Sequence, residues 1–179
     1  AVSELPDKRL VMIMDVEKVL ADAGGFYDES AFDGIKKMDQ SNPRTILFAD
    51  DSAIARKQVI QALDHMGVDH IACVNGAEAW ALLDKLATKC EQDERDITTE
   101  IQAVLTDVEM PEMDGYVLTQ KIKADPRLQH LPVIMHSSLT ASANQNMGKG
   151  VGADAYVPKF QPRELAETLE TFFEEQQAT

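Results

Sequence analysis

"RTILFADDSAIARKQVIQALDHMG", residues 44–67, passes from a short apolar run through an acidic pair into a different periodicity. Thr45–Ala49 is brief, rich in branched and aromatic side chains, and continuous rather than alternating, which reads as a strand buried on both faces. Beyond Asp50 and Asp51, the positions Ile54, Ala55, Val59, Ala62, Leu63 and Met66 recur at helical spacing, and Gly67 supplies the stop. A buried strand running straight into an amphipathic helix is the opening of a β-α-β unit.

The same alternation continues to the end of the chain. Further apolar runs stand at His70–Val74, Ile101–Thr106, Val133–His136 and Ala155–Val157. Helical stripes follow at Ala79, Leu82, Leu83 and Leu86, at Val117, Leu118 and Ile122, and at Leu165, Leu169, Phe172 and Phe173 behind Pro162. The polar, glycine-containing stretch 141–150 takes the remaining helix position. Strands that alternate with helices and leave no wet face predict a doubly wound α/β fold, a parallel sheet with helices on both faces. "EQDERDITTE", residues 91–100, reads as a charged insertion, either a solvated loop or an extension of the second helix.

The first 40 residues are of another kind. "RLVMIMDVEKVLADAGG", residues 9–25, predicts one strand, a short helix from about Asp15 and a stop at Gly24-Gly25. One strand and one helix cannot bury enough surface to fold alone. This piece is therefore expected either to be the remnant of another domain or to dock on something else; residues 1–40 are expected to be poorly anchored here, with residues 26–43 as a linker. Position 1 is not Met, which fits a processed or cut chain. Over 179 residues, 44% hydrophobic and 27% charged content is that of a soluble globular protein. The longest apolar run, Leu10 to Met14, falls far short of the roughly 20 residues of a membrane span and of a secretory signal core. No membrane insertion is expected. A net charge of −14 argues against nucleic acid as a direct partner, because neutralising phosphates takes clustered Lys and Arg. Cys73 and Cys90 have no CxxC or Cys/His spacing and read as reduced thiols of a cytoplasmic protein.

Acid collects at the strand ends. "LTDVEMPEMDG", residues 105–115, gathers Asp107, Glu109, Glu112 and Asp114 directly behind an apolar run. In a doubly wound sheet, the carboxyl ends of the strands at the switch point form the binding crevice. Asp50 and Asp51 close the first strand of the repeat and Asp107 the third, so if those strands are neighbours three carboxylates meet. Two unit charges about 4 Å apart repel by about 4 kcal/mol at an effective dielectric near 20, so the cluster points to a divalent cation. Hard oxygen donors with open positions suit Mg²⁺. Two further strand ends bring Ser137-Ser138, in "VIMHSSLT", and Lys159, in "AYVPKF". A hydroxyl and an ammonium beside an aspartate are what an acyl phosphate oxygen needs, and metal and Lys together make an aspartate a competent nucleophile.

"FADDSAIARK", "LTDVEMPEMDG", "PVIMHSS" and "GADAYVPK" together resemble the receiver domain of two-component response regulators, over roughly residues 44–177. The resemblance implies a flavodoxin-like sheet of five parallel strands in the order 2-1-3-4-5. It also implies roles: Asp107 as phosphoacceptor, and Asp50, Asp51, Asp107 and the Glu109 backbone carbonyl as Mg²⁺ ligands. Ser137 becomes the phosphate-sensing hydroxyl, Lys159 the counter-ion and Tyr156 the aromatic rotamer switch. Receivers usually carry Lys-Pro with a cis bond after the fifth strand, whereas the pair here is Lys159-Phe160. A cis bond before Phe costs roughly 2.5–4 kcal/mol, against about 0.5–1 before Pro, so trans is expected.

"LVMIMDVEKVLAD", residues 10–22, is similar to the last strand and helix of CheW-type coupling domains. A CheW-like domain followed by a receiver is the layout of CheV chemotaxis proteins. The domain plan is then a CheW-like remnant over 1–25, a linker over 26–43 and a receiver over 44–177. The function implied is a phosphorylation-controlled signalling module of bacterial chemotaxis, cytoplasmic and associated with receptor arrays. It would take phosphoryl from a CheA-type histidine kinase, reach chemoreceptors through the CheW-like part, and modulate receptor–kinase coupling. The chain ends soon after the fifth helix, so output is expected upstream or in a partner. No external substrate is expected. A non-switching scaffold and a Mg²⁺-dependent phosphohydrolase are the competing functions, and turnover of an external phosphate ester would mark the second.

Other polar and sulfur-bearing residues weigh toward structure. One of Asp50 and Asp51 would also serve as a helix cap, Asp114-Gly115 as a helix start, and Met110 and Met113 as packing. His136 is expected to pack along its strand and His65, His70 and His130 to lie at the surface. Asp107-Val-Glu109 does not open a Ca²⁺ loop, because the fifth position would be Pro111 and the glycine is misplaced. Tyr156 alternates with buried neighbours, so a core position stands beside the switch reading.

Overall fold

The computed structural model describes residues 2–4, 10–12, 29–39, 41–138, 147–159 and 161–177. Val2–Glu4 (β1) and Leu10–Met12 (β2) pair antiparallel, with Val2 opposite Met12. The expected strand is thus present, with a partner too short and polar to signal itself. The helix expected from Asp15, residues 141–146 and the Lys159–Phe160 peptide bond lie outside the described residues.

The central sheet holds β3 (Thr45–Ala49), β4 (Asp69–Cys73), β5 (Ala103–Asp107), β6 (Val133–Ser137) and β7 (Ala155–Pro158). All five run parallel, in the order β4-β3-β5-β6-β7. Numbered within the sheet, this is the expected 2-1-3-4-5. β3 and β5 are neighbours, with Ile46 opposite Ala103 and Ala49 opposite Thr106. The winding reverses there, and the crevice forms beyond their carboxyl ends.

Successive side chains of a strand point to opposite faces, so β3 feeds two cores. Ile46 and Phe48 join Val59 and Leu63 of α1 (Ala53–Met66) and Leu165, Leu169 and Phe173 of α4 (Pro162–Gln177). Leu47 and Ala49 join Leu83 and Ala87 of α2 (Gly76–Gln92) and Leu118 and Ile122 of α3 (Gly115–Ala124). Helices therefore cover both faces, as the unbroken apolar strands required. The α2 stripe is rotated from the expected one: Ala79, Leu83, Ala87 and Cys90 are buried, and Leu82 and Leu86 flank them half-buried. On α3, Val117 is exposed and Thr119 takes the buried place, its hydroxyl donating to the Gly115 carbonyl at 2.7 Å. In the charged insertion, α2 runs on to Gln92 and a 3-10 turn at Ile97–Thr99 buries Ile97.

The helix starts decide which acids remain for chemistry. Ser52 caps α1, its hydroxyl accepting from the Ala55 N–H, while Asp50 Oδ1 accepts the Ser52 N–H at 2.8 Å. The cap expected of an aspartate is therefore supplied by the serine. Asp114 does cap α3, accepting the Val117 N–H at 2.8 Å. Gly67 ends α1 at φ 69°, a left-handed conformation that costs glycine little.

Residues 29–39, within the stretch read as a linker and expected to be poorly anchored, instead pack on the α1–α4 side, because an apolar side chain among them finds a receiving core. Phe32, in a 3-10 turn at Glu29–Phe32, is buried in that core, and its ring stacks on His65 with centroids 4.3 Å apart. The Met38 N–H donates to the Met66 carbonyl at 2.7 Å, and Arg163 donates to the Ser30 carbonyl at 3.0 Å.

Candidate functional site

Three strand ends deliver the charged groups to one place. β3 ends at Ala49 and hands over Asp50 and Asp51, β5 ends on Asp107, and β7 stops at Pro158, just before Lys159. Ligand atoms of Asp50, Asp51 and Asp107 lie within 4.8 Å of one another. Asp50 and Asp107 are buried, whereas Asp51 is exposed and faces the crevice mouth. Lys159 Nζ stands 2.9 Å from Asp50 Oδ2 and 2.9 Å from Asp107 Oδ2, so one buried ammonium is shared between two buried carboxylates.

The backbone fixes the acids in turn. Asp107 Oδ1 accepts its neighbour's N–H, from Val108, at 2.7 Å. Arg56, on the first turn of α1, donates to the Asp50 carbonyl at 2.8 Å. The Lys159 N–H donates to the Ser137 carbonyl at 3.0 Å, tying the lysine to the end of β6. Gly115 lies against the Asp107 carbonyl, so that a Cβ there would collide with backbone. These supports were not legible as site residues. Gly115 left a trace in the Asp114-Gly115 helix start, and Arg56 left none.

One ammonium does not neutralise this cluster. Burial pushes the Asp107 carboxyl up to about 6; Lys159 opposes the rise and Asp50 adds to it. Burial would lower the Lys159 ammonium, but Asp50 and Asp107 together hold it above its ordinary range. His136 is buried on β6 as expected and is driven down to about 3 by burial and by Lys159, so its imidazole is neutral at pH 7. Cys73, at the end of β4, is buried with its thiol raised to about 11 by burial and by Glu78.

The remaining sequence candidates surround the crevice. Ser137 is buried at the end of β6, one residue beyond the position paired with Asp107. Glu109 is exposed and lines the mouth, a cleft of about 440 Å³, with Asp51, Met110, Tyr116 and Met147. Tyr156 is half-buried rather than in the core and borders a small cavity with Gly148 and Ala153. Its hydroxyl is near enough to Tyr116 to raise that phenol, after burial. Tyr116 itself escaped the sequence reading, because an aromatic at a helix start carries no motif. Met110 and Met113 pack in the second core, as expected.

Carboxylates are hard oxygen donors, two of them are fixed by the backbone, and the third is open to solvent. The residues present therefore fit a small divalent cation that keeps part of its water.

The response regulator receiver domain family matches residues 46–170. Chemotaxis protein CheV1 of Helicobacter pylori is 28% identical over 94% of this chain and 50% of its own length. The chain thus spans about half the length of the curated CheV relatives it matches. Chemotaxis protein CheY1 of Helicobacter pylori is 32% identical over 70% of this chain and 93% of its own. Among solved structures, the receiver domain of the histidine kinase CKI1 from Arabidopsis thaliana, complexed with Mg²⁺ and BeF₃⁻, superposes with a TM-score of 0.66. It is 28% identical, covering 73% of this chain and 90% of that one. With most of its length matched in sequence and its sheet matched in space, the chain belongs to the response regulator receiver domain family.

Proposed function

We propose that Asp107 is the phosphoacceptor of a signalling switch and that Asp50, Asp51, Asp107 and the Glu109 backbone carbonyl hold Mg²⁺. The observation that carries the reading is the shared ammonium: Lys159 Nζ at 2.9 Å from both Asp50 and Asp107, in a crevice with too few cations for its acids. Bound Mg²⁺ would offset the remaining negative charge and that of an incoming phosphoryl group. Asp107 attacks phosphorus of a phosphohistidine or acyl phosphate, forming the new P–O bond as the old P–N or P–O bond breaks. The leaving group keeps the electron pair, and a leaving imidazole takes a proton from water. Lys159 keeps its charge throughout and stays against the Asp107 carboxylate, stabilising the oxygen charge that develops. Ser137 donates its hydroxyl to the phosphoryl oxygens, and the half-buried Tyr156 ring turns toward the space this opens.

The phosphodonor is a CheA-type histidine kinase, and the module modulates receptor–kinase coupling. The chemotaxis relatives support that assignment, as does the similarity of residues 10–22 to a CheW-like domain, through which chemoreceptors would be met. Residues 1–25 belong to that domain, 26–43 connect it and 44–177 form the receiver. The site carries out its own phosphorylation and dephosphorylation and has no external substrate. It works in the cytoplasm, at receptor arrays; no helix among the described residues is long and apolar enough to cross a membrane.

Acetyl phosphate with Mg²⁺, followed by intact mass and site mapping, tests the reading. One phosphoryl group per chain is expected, on Asp107, with slower labelling and weaker Mg²⁺ binding in Asp50→Ala and Asp51→Ala. Labelling that persists at wild-type level in Asp107→Asn would refute the assignment.

A further inference from the structure

The family match begins at residue 46, yet residues 29–38 ahead of it are built into the receiver. Residues 29–38 cross from one helix to the other on the α1–α4 face. At one end Arg163, on the first turn of α4, holds the Ser30 carbonyl. At the other, the Met38 N–H is bound to the last carbonyl of α1, at Met66. Between them Phe32 is buried in the core, and Ala31, Ile35 and Met38 pack half-buried against that core. The segment also has local order of its own, the Asp33 N–H bonding to the Ser30 carbonyl and the Ile35 N–H to that of Phe32. A mere spacer has no reason to bury an aromatic ring.

The two helices it joins are those that start at the charged site. α1 begins directly after Asp50, Asp51 and their cap Ser52, and α4 begins at Pro162, just beyond Lys159. The Asp50–Lys159 ion pair therefore ties the starts of α1 and α4 together. A phosphoryl group on Asp107 competes with Asp50 for that single ammonium, and the tie between the helices weakens. A segment stitched across both helices then meets an altered surface.

We propose that residues 29–38 are an intramolecular docking segment for the α1–α4 face, released in part when Asp107 is phosphorylated, so that the phosphoryl state is passed to the chain N-terminal of residue 29. The proposal rests on Asp107 being the phosphoacceptor. Coupling of this kind is reciprocal: what phosphorylation does to docking, undocking does to affinity for a phosphoryl group.

The test is hydrogen exchange on the full chain, with Mg²⁺ alone and with Mg²⁺ plus beryllium fluoride as phosphoryl mimic, read beside direct titration of the mimic. In the Mg²⁺ state the Ile35 and Met38 amides are protected, and the mimic speeds their exchange by about fivefold or more, the low end of usual coupling. Phe32→Ala and Arg163→Ala, neither of which touches the site, loosen the segment and tighten mimic binding by a similar factor. Arg163→Ala keeps the core filled, so it answers even if Phe32→Ala destabilises the fold. Mimic binding with unchanged exchange over 29–39 overturns the proposal and leaves the phosphoacceptor reading standing. Amides 35 and 38 unprotected in both states overturn it as well. A mimic that fails to bind, with no labelling of Asp107 by acetyl phosphate, removes the phosphoacceptor reading and the proposal together.

Discussion

Asp107→Asn should raise the stability of the metal-free protein at pH 7.5. Asp107 shares one ammonium with Asp50, and burial holds its carboxyl near 6 against 3.8 for an ordinary aspartate. The folded state therefore binds a proton more tightly than the unfolded chain. Between pH 3.8 and 6 stability falls as pH rises, and above 6 the full penalty applies. At about 1.36 kcal/mol per pH unit, the rise from 3.8 to about 6 puts the penalty near 3 kcal/mol. Asparagine removes the charge at nearly constant shape. Its carbonyl can keep either the Val108 N–H or Lys159, but its amide then faces a donor, which offsets part of the gain. The net expectation is about 1–3 kcal/mol at pH 7.5, or roughly 2–4 °C in Tm per kcal/mol for a chain of this size. Urea unfolding in EDTA from pH 4 to pH 8 measures it, with the difference between the two proteins fading toward pH 4. His136, neutral down to about pH 3, gives both proteins the opposite slope and drops out of that difference. An Asp107→Asn protein no more stable than wild type at pH 7.5, or a gain independent of pH, would refute the charge argument.

Lys159→Met should destabilise the protein by about 3–5 kcal/mol at pH 8, because two buried carboxylates lose their counter-charge; urea titration should show the loss shrinking at pH 5 as Asp107 takes up a proton. Gly115→Ala should cost about 1–3 kcal/mol, since the new Cβ meets the Asp107 carbonyl, and calorimetry that finds no loss would contradict the close packing there. Adding Mg²⁺ should raise the wild-type Tm with concentration, and by much less in Asp51→Ala, as expected of a ligand that binds only the folded state. Ser137→Ala should still be phosphorylated on Asp107, but amide chemical shifts over residues 137–160 should respond differently to the phosphoryl mimic; identical responses would exclude the hydroxyl as transmitter.

The site was readable in the sequence because its members sit where apolar runs stop. Strand ends are marked by composition, and a parallel sheet gathers its carboxyl ends on one edge, so Asp50, Asp51, Asp107 and Lys159 needed only the strand order to meet. Faces of helices were harder. α2 packs through Ala79, Ala87 and Cys90, small side chains that a hydrophobic stripe underweights beside Leu82 and Leu86. Ile97 and Phe32 were hidden for another reason: each is a lone apolar residue in a polar stretch, and its burial is decided by the surface that receives it. The cap at Ser52 was missed because an adjacent aspartate is an equally good cap by type. Backbone geometry, not propensity, chose between them.

The buried thiols have a practical consequence. Cys73 and Cys90 are the only cysteines in the chain; both are almost fully buried, and Cys73 is held near 11. Thiol reagents act on the thiolate, so neither side chain offers a target under mild conditions, and neither is suited to sense oxidants. This chain thus serves as its own unreactive background for thiol labelling. A single cysteine placed at an exposed position such as Ser30 or Lys36 would be the one group to take a spin or fluorescent label, with no need to disturb the core first.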